Sequence, residues 1–269
     1  MKKGMIVLCT LIAIVSVLCL IKESKSVETF ETKKNNPYEV FTFYKKDNLE
    51  RYIKYKENNN LDYKDIVLRV NIGLDNSFYT NTKEIKEFDR LMLVNKYNYV
   101  GENFKVDNLV LVPEFARSNM YLEKECMESF VKMARDAYST GFNIRAISTY
   151  RTFDYQKNLY NNYLESDGIE KADTYSARPG YSEHHTGLSV DVDNIKSNYM
   201  EFENTKEFIW LCENAYKYGF ILRYPKDKEN ITGYMYEPWH YRYVGISIAT
   251  YIHENNITFE EYYYEFLDK

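Results

Sequence analysis

Ten glycines and five prolines in 269 residues are too few for a collagen-like or low-complexity chain, and a 17% aromatic content excludes broad disorder. Long apolar runs are nearly absent. There is one, at the N-terminus, and a mean hydropathy of −0.56 excludes a multi-span membrane protein. Positive charge is not in excess: 35 Lys and Arg against 40 Asp and Glu leave a net −5, so the chain has no global attraction for nucleic acid. Of four cysteines, Cys9 and Cys19 lie inside the apolar run, while Cys126 and Cys212 are far apart and in no metal or C-x-x-C spacing. Redox and thiolate-zinc chemistry are thereby disfavoured, and both distal thiols are expected on buried helix faces. No internal repeat is found, and the 28 tyrosines carry no function by their number alone.

The apolar run extends from Gly4 to Ile21, interrupted only by Thr10 and Ser16, and follows Lys2 and Lys3. It is close to the roughly 20 residues that span a bilayer. No A-x-A site follows it, and Leu18 is too bulky for a lipidated Cys19, so an uncleaved single-pass anchor is favoured over a signal peptide. The lysine pair obeys the positive-inside rule and puts the remainder outside, although Lys22 and Lys25 weaken the asymmetry. The expected organisation is a membrane anchor or signal segment over 1–22, a linker and extension over 23–65, and one domain over 66–269.

Hydrophobic periodicity predicts a short helical piece at Tyr52–Asn60, a β-branched strand at Ile66–Ile72 ended by Gly73, and short apolar runs at Leu91–Asn95 and Leu109–Val112. Leu122, Cys126, Phe130, Met133, Ala134 and Ala137 define an amphipathic helix stopped near Gly141. Ile144–Ser148 reads as a strand, Tyr155–Leu164 as a helix and Ala177–Thr186 as a loop. Leu188, Val190 and Val192 alternate with Ser189, Asp191 and Asp193 in a further strand. Phe208–Tyr218 reads as a helix, Phe220–Tyr224 and Tyr234–Val244 as strands, and the tail from Ile246 as helices with Tyr262–Tyr264 packed inward. Helices around a few antiparallel strands make an α+β domain.

Only four histidines are available: His184, His185, His240 and His253. A catalytic zinc takes three His or carboxylate ligands and keeps one position open. His184, Asp191 and His240 supply such a set, with a net charge that leaves the metal positive. A water bound there falls to a pKa of about 7. A carboxylate beside the metal, Glu237, would then move its proton to a leaving amine. In a regular strand Glu237 and His240 point to opposite faces, but Pro238 implies an irregular start that lets both reach one site. Asp193 shares a face with Asp191 and is an alternative ligand. His185 has no expected metal role, and His253 is expected on the surface.

Ser176–Val192 (S-A-R-P-G-Y-S-E-H-H-T-G-L-S-V-D-V) and Gly233–Gly245 (G-Y-M-Y-E-P-W-H-Y-R-Y-V-G) resemble the two zinc motifs of the VanY-like D-alanyl-D-alanine carboxypeptidases. The likeness extends to S-T-Y-R at Ser148–Arg151, G-F-I-L-R-Y-P at Gly219–Pro225 and L-V-N-K at Leu93–Lys96, over roughly residues 66–250. His185 stands where Gln is expected and Ser189 where Ala is frequent; neither alters the ligand set.

The resemblance implies a compact Hedgehog/DD-peptidase-like zinc domain, here preceded by an N-terminal hydrophobic helix. It implies one zinc ion on His184, Asp191 and His240, with Glu237 as general base and acid. Arg151 is placed in the site, to meet either the terminal carboxylate of a substrate or a developing oxyanion, with Gln156 and Ser182 as substrate contacts. Arg223 is a weaker, structural candidate. The implied reaction is removal of the C-terminal D-alanine from peptidoglycan stem peptides outside the cell by attack of a zinc-bound water. L,D-carboxypeptidase action on tetrapeptide stems is the alternative. A zinc-stabilised wall-binding module without turnover is the rival of another class, and Glu237 and Arg151 argue against it.

Overall fold

A computed structural model describes residues 36–194 and 199–268. The expected anchor at 1–22 and the first part of the expected linker and extension, 23–35, lie outside them. Among the described residues no helix is long and apolar enough to cross a membrane. Residues 36–44 belong to one unit, in which Asn36 Nδ2 donates to Tyr44 Oη, and Lys45 onward forms a second.

The second unit begins with helix α1 (Leu49–Asn58), which packs on α2 (Tyr63–Ile72). α2 overturns the strand expected at Ile66–Ile72. The β-branched run is real, but its caps decide the outcome: the Asp62 side chain accepts from Asp65 N at 2.8 Å, and Gly73 closes the helix at φ 103°. Ile66, Val67, Leu68, Val70 and Ile72 are all buried, so the segment is apolar on more than one face and its helical period is hidden. Strands β1 (Lys83–Ile85) and β2 (Asn98–Val100) pair in parallel, and β3 (Leu109–Leu111) and β4 (Tyr121–Glu123) antiparallel.

Helix α3 (Lys124–Ser139) carries the expected buried stripe of Cys126, Phe130, Met133, Ala134 and Ala137. Glu123 caps it by accepting from the backbone N–H groups of Glu125 and Cys126. β5 (Arg145–Ser148) follows, and then α4 (Phe153–Asp167), capped by Thr152, and α5 (Ile169–Tyr175). A 3₁₀ turn at Glu183–Thr186 leads into β6 (Ser189–Asp193). α6 (Lys206–Asn214), β7 (Phe220–Leu222), the one-turn α7 (Glu229–Thr232), β8 (His240–Tyr243), α8 (Ile246–Asn255) and α9 (Phe259–Tyr262) complete the unit.

The central sheet has the order β5-β6-β8-β7, antiparallel throughout. Leu188, Val190 and Val192 enter the main core against Phe130, Met133 and Ala137 of α3. A second core joins Leu93, Ile221, Ala249, Ile252 and Phe259, with Tyr262, Tyr263 and Tyr264 packed on it. The fold is therefore α+β, with small sheets flanked by helices.

Two further expectations need correction. The strand foreseen at Tyr234–Val244 is limited to His240–Tyr243, because residues ahead of it bond elsewhere: Met235 N donates to Thr174 O and Glu237 N to Tyr224 O. Cys212 is exposed, unlike the buried Cys126. On the short α6, Leu211 and Ala215 of the following turn fill the core, and Cys212 takes the adjoining outer position.

Candidate active site

β6 and β8 are adjacent in the sheet, and their ladder pairs Asp191 with His240. This register alone brings together two candidate ligands 49 positions apart in the sequence. His184 arrives from the 3₁₀ turn, in which its own backbone N–H donates to Ser182 Oγ at 3.3 Å and which Gly187 ends at φ 68°. His184 Nε2 lies 3.2 Å from Asp191 Oδ2, and His240 Nδ1 lies 3.0 Å from Asp191 Oδ1. One donor atom from each residue lies within 4.8 Å of the other two, and all three residues are buried.

The donor chemistry suits a zinc ion. His184 Nδ1 is 2.7 Å from Thr149 O and so carries the proton, which leaves the Nε2 lone pair facing inward. Asp191 Oδ1 is buried and makes no well-aligned hydrogen bond, although His240 Nδ1 is only 3.0 Å away. Lone pairs turned toward one another in a buried space call for a cation. Burial, followed by the nearby Arg151 charge, lowers the His184 pKa to about 4, so the ring is neutral. Burial also acts against charge on His240, but the carboxylates of Asp191 and Glu183 outweigh it and raise the value to about 9. Asp193 does not join the group, since its carboxylate accepts from Arg117 Nη2 at 2.7 Å.

Glu237 reaches the same space. His240 N donates to Glu237 O at 3.1 Å, which makes Glu237–His240 a turn with Pro238 at its second position. The turn resolves the conflict of faces noted from the sequence: Glu237 Oε2 lies 3.6 Å from His240 Nδ1. Burial raises the Glu237 carboxyl to about 8.

Arg151 follows β5 and spreads its guanidinium over three acceptors. These are Ser148 Oγ at 2.9 Å, Gln156 Oε1 at 3.2 Å and Asp191 Oδ2 at 2.8 Å. Gln156, in the first turns of α4, donates in turn to Ala177 O. Arg151, Gln156, Ser182, His184, Asp191, Glu237 and His240 all line one cleft of about 680 Å³. His185 lies apart from the donor group. Its Nδ1 faces Arg151 O at 2.8 Å and its Nε2 accepts from Gly180 N at 3.2 Å, so it braces the loop behind the site. His253 is exposed and stacks on Tyr216.

Sequence reasoning missed the support beneath His184 and His240. Glu183 is fully buried; its Oε1 accepts from Arg223 Nε and Arg242 Nη1, both at 2.8 Å, and its Oε2 lies 3.6 Å from His240 Nε2. Arg223 also grips Glu260 through Nη1 and Nη2, and is structural. Burial alone would raise the Glu183 pKa, yet the two guanidiniums hold it well below the usual carboxylate range. Tyr224 packs its ring 4.9 Å from that of His240. The available signal was the adjacency of Glu183 to His184 and the placement of Arg223 and Arg242 in otherwise apolar strands.

An α+β domain with a buried His-Asp-His group, a neighbouring glutamate and an open cleft defines a zinc hydrolase. Residues 119–246 match the VanY family, described as D-alanyl-D-alanine carboxypeptidase. YodJ of Bacillus subtilis (strain 168) is 38% identical over 208 residues, which are 71% of this chain and 76% of the relative. The structure of the LdcB LD-carboxypeptidase superposes with a TM-score of 0.65 at 37% identity, covering 69% of this chain and 91% of that one. A vancomycin resistance D,D-pentapeptidase VanY variant in complex with Zn(II) gives 0.55 at 34% identity, covering 64% and 98%. The chain belongs to the VanY family and is a zinc-dependent carboxypeptidase.

Proposed function

We propose that this enzyme removes the C-terminal D-alanine from peptidoglycan stem peptides on the outer side of the membrane. The observation that carries the reading is the convergence of His184, Asp191 and His240 beside Glu237 and Arg151 at the floor of one cleft. His184, Asp191 and His240 would hold the zinc ion. Zinc supplies a Lewis acid there, able to acidify a water and polarise a carbonyl. Glu237 takes the proton of the attacking water and returns it to the departing amine. Its burial favours the protonated form and so suits the donating half of that cycle.

Arg151 is the only arginine lining the cleft among the described residues, and its guanidinium is already held in one orientation by three acceptors. It binds the terminal carboxylate of the substrate, with Gln156 and Ser182 completing that end. The apolar run at Gly4–Ile21 serves as a single-pass anchor, with Lys2 and Lys3 on the inner side.

The likeness to LdcB favours a second reading, L,D-cleavage of tetrapeptide stems. Incubation with defined pentapeptide and tetrapeptide, with and without chelator, tests both. Loss of one alanine from the pentapeptide alone is the expected result. Loss from the tetrapeptide alone would replace the first reading by the second, and chelator-resistant cleavage would overturn the metal mechanism.

A further inference from the structure

Helix α9 lies beyond the stretch that matches the family, 119–246, yet it contributes a buried carboxylate to the interior. Thr258 and Glu261 cap the helix reciprocally: Thr258 N donates to Glu261 Oε2 at 2.7 Å, and Glu261 N to Thr258 Oγ1 at 3.2 Å. The box holds Glu260 between them with its side chain wholly buried. Glu260 takes both terminal nitrogens of Arg223. Nη1 donates to its Oε2 at 2.8 Å and Nη2 to its Oε1 at 2.6 Å, a two-pronged pairing that is the strong form of an ion pair.

That pairing restricts what Arg223 can do to Glu183. With both terminal nitrogens taken, Arg223 reaches Glu183 through Nε alone, at Oε1. Arg242 is restricted in the same way: its Nε donates to Tyr243 O and its Nη2 to Arg90 O and Met92 O, so Nη1 alone is left for the same Oε1. Two cations thus converge on one oxygen of Glu183. The other oxygen, Oε2, is left to Ser189 Oγ at 3.3 Å and to His240 Nε2 at 3.6 Å. His240 turns its Nδ1 toward Asp191 at 3.0 Å and Glu237 at 3.6 Å. A neutral ring that offers Nδ1 as a lone pair carries its proton on Nε2, and an anion beside Nε2 favours that tautomer and orientation. Arg223 N also donates to His240 O at 3.1 Å, so the arginine held by Glu260 touches the backbone of the same histidine.

We propose that Glu260 is a positioning residue for zinc binding: by occupying the terminal nitrogens of Arg223, it keeps Glu183 Oε2 free to orient His240. Without the Glu260 charge, Arg223 would swing its fork onto Glu183 and capture both oxygens. The inference rests on the zinc reading of His184, Asp191 and His240, and it gives the C-terminal segment a part in metal affinity.

The test is the zinc affinity of the folded full chain, measured by competition with a chromogenic chelator, alongside the melting temperature of the metal-free protein. Glu260→Gln keeps the shape and removes the charge, and zinc binding is expected to weaken about 10-fold or more. Ile252→Ala, in the core shared with Phe259 of α9, is the control. It should lower the melting temperature and leave zinc affinity at the wild-type value. Adding Arg223→Gln to Glu260→Gln removes the competing fork and should restore affinity to within about 3-fold of wild type.

Unchanged zinc affinity in Glu260→Gln, with only its melting temperature lowered, would overturn the proposal. A double variant that binds zinc no more tightly than Glu260→Gln would do the same. Should Glu260→Gln not fold, Glu260→Asp is read in its place. Its shorter arm releases one nitrogen of the fork, so an intermediate loss is expected, and an affinity equal to that of Ile252→Ala would overturn the proposal. Wild-type protein that binds no zinc would overturn the zinc reading itself. Glu260-dependent zinc binding in a protein without turnover would overturn the carboxypeptidase reading and leave Glu260 in its role.

Discussion

Asp191 and His240 face each other across the β6–β8 ladder, with Asp191 Oδ1 3.0 Å from His240 Nδ1. The two candidate ligands are therefore positioned by backbone hydrogen bonds, independently of any ion. Zinc removal is expected to abolish activity while the domain stays folded. Far-ultraviolet circular dichroism should be unchanged after chelation, and the melting temperature should fall. At a free zinc level 1,000 times Kd the lost stabilisation is about 4 kcal/mol. Unfolding on chelation would show that the metal, and not the ladder, organises the site.

Glu237→Ala should retain stoichiometric zinc and lose turnover by about 10²- to 10⁴-fold. Metal content and kcat measured on one preparation decide the matter, and near-wild-type kcat would remove Glu237 from its role.

Arg151→Ala is expected to raise KM about 10-fold or more for a substrate with a free C-terminal carboxylate. A C-terminally amidated substrate should be affected far less. Equal losses on both would mean that Arg151 serves the reacting carbonyl instead.

Glu183→Gln leaves Arg223 and Arg242 without their shared buried anion, and a cost of about 3–5 kcal/mol is expected from denaturant unfolding. The same network sets an acid limit. The folded-state pKa of Glu183 lies below its ordinary value of 4.5, so its contribution is complete above that value and is lost as the pH falls below it. The wild-type protein should lose stability below about pH 4.5 more steeply than the Gln variant. Parallel pH profiles of the two proteins would refute the linkage.

Gly187→Ala should destabilise by about 1–3 kcal/mol. The residue sits at φ 68°, and a Cβ there would lie 2.7 Å from Leu109 Cδ2 and 3.0 Å from Glu123 N. Because Gly187 joins the turn bearing His184 to the strand bearing Asp191, zinc affinity should weaken along with the melting temperature.

Legibility in the sequence followed the physical origin of each feature. The period of α3 and the alternation of β6 are local patterns, and both are present in the structure. The grouping of His184, Asp191 and His240 could be anticipated because zinc accepts few residue types and the chain has only four histidines, and the three lie close together in the structure. The strand expected at Ile66–Ile72 failed because burial on several faces erases the difference between the two periods, leaving only the Asp62 and Gly73 caps to tell them apart. The ion network around Glu183 was hidden for another reason. Its members are 40 and 59 positions from Glu183, and only the tertiary fold shows that two arginines meet one carboxylate.

Glu183 and His184 are consecutive residues on one short turn, the first holding the interior together and the second facing the cleft. Folding and chemistry are in this way written into neighbouring letters. A descendant that abandoned hydrolysis could discard the histidine, yet it would still need the glutamate to neutralise the two interior arginines. Among distant cousins, persistence of the acidic half of this pair would therefore report the scaffold, whatever has become of the cleft.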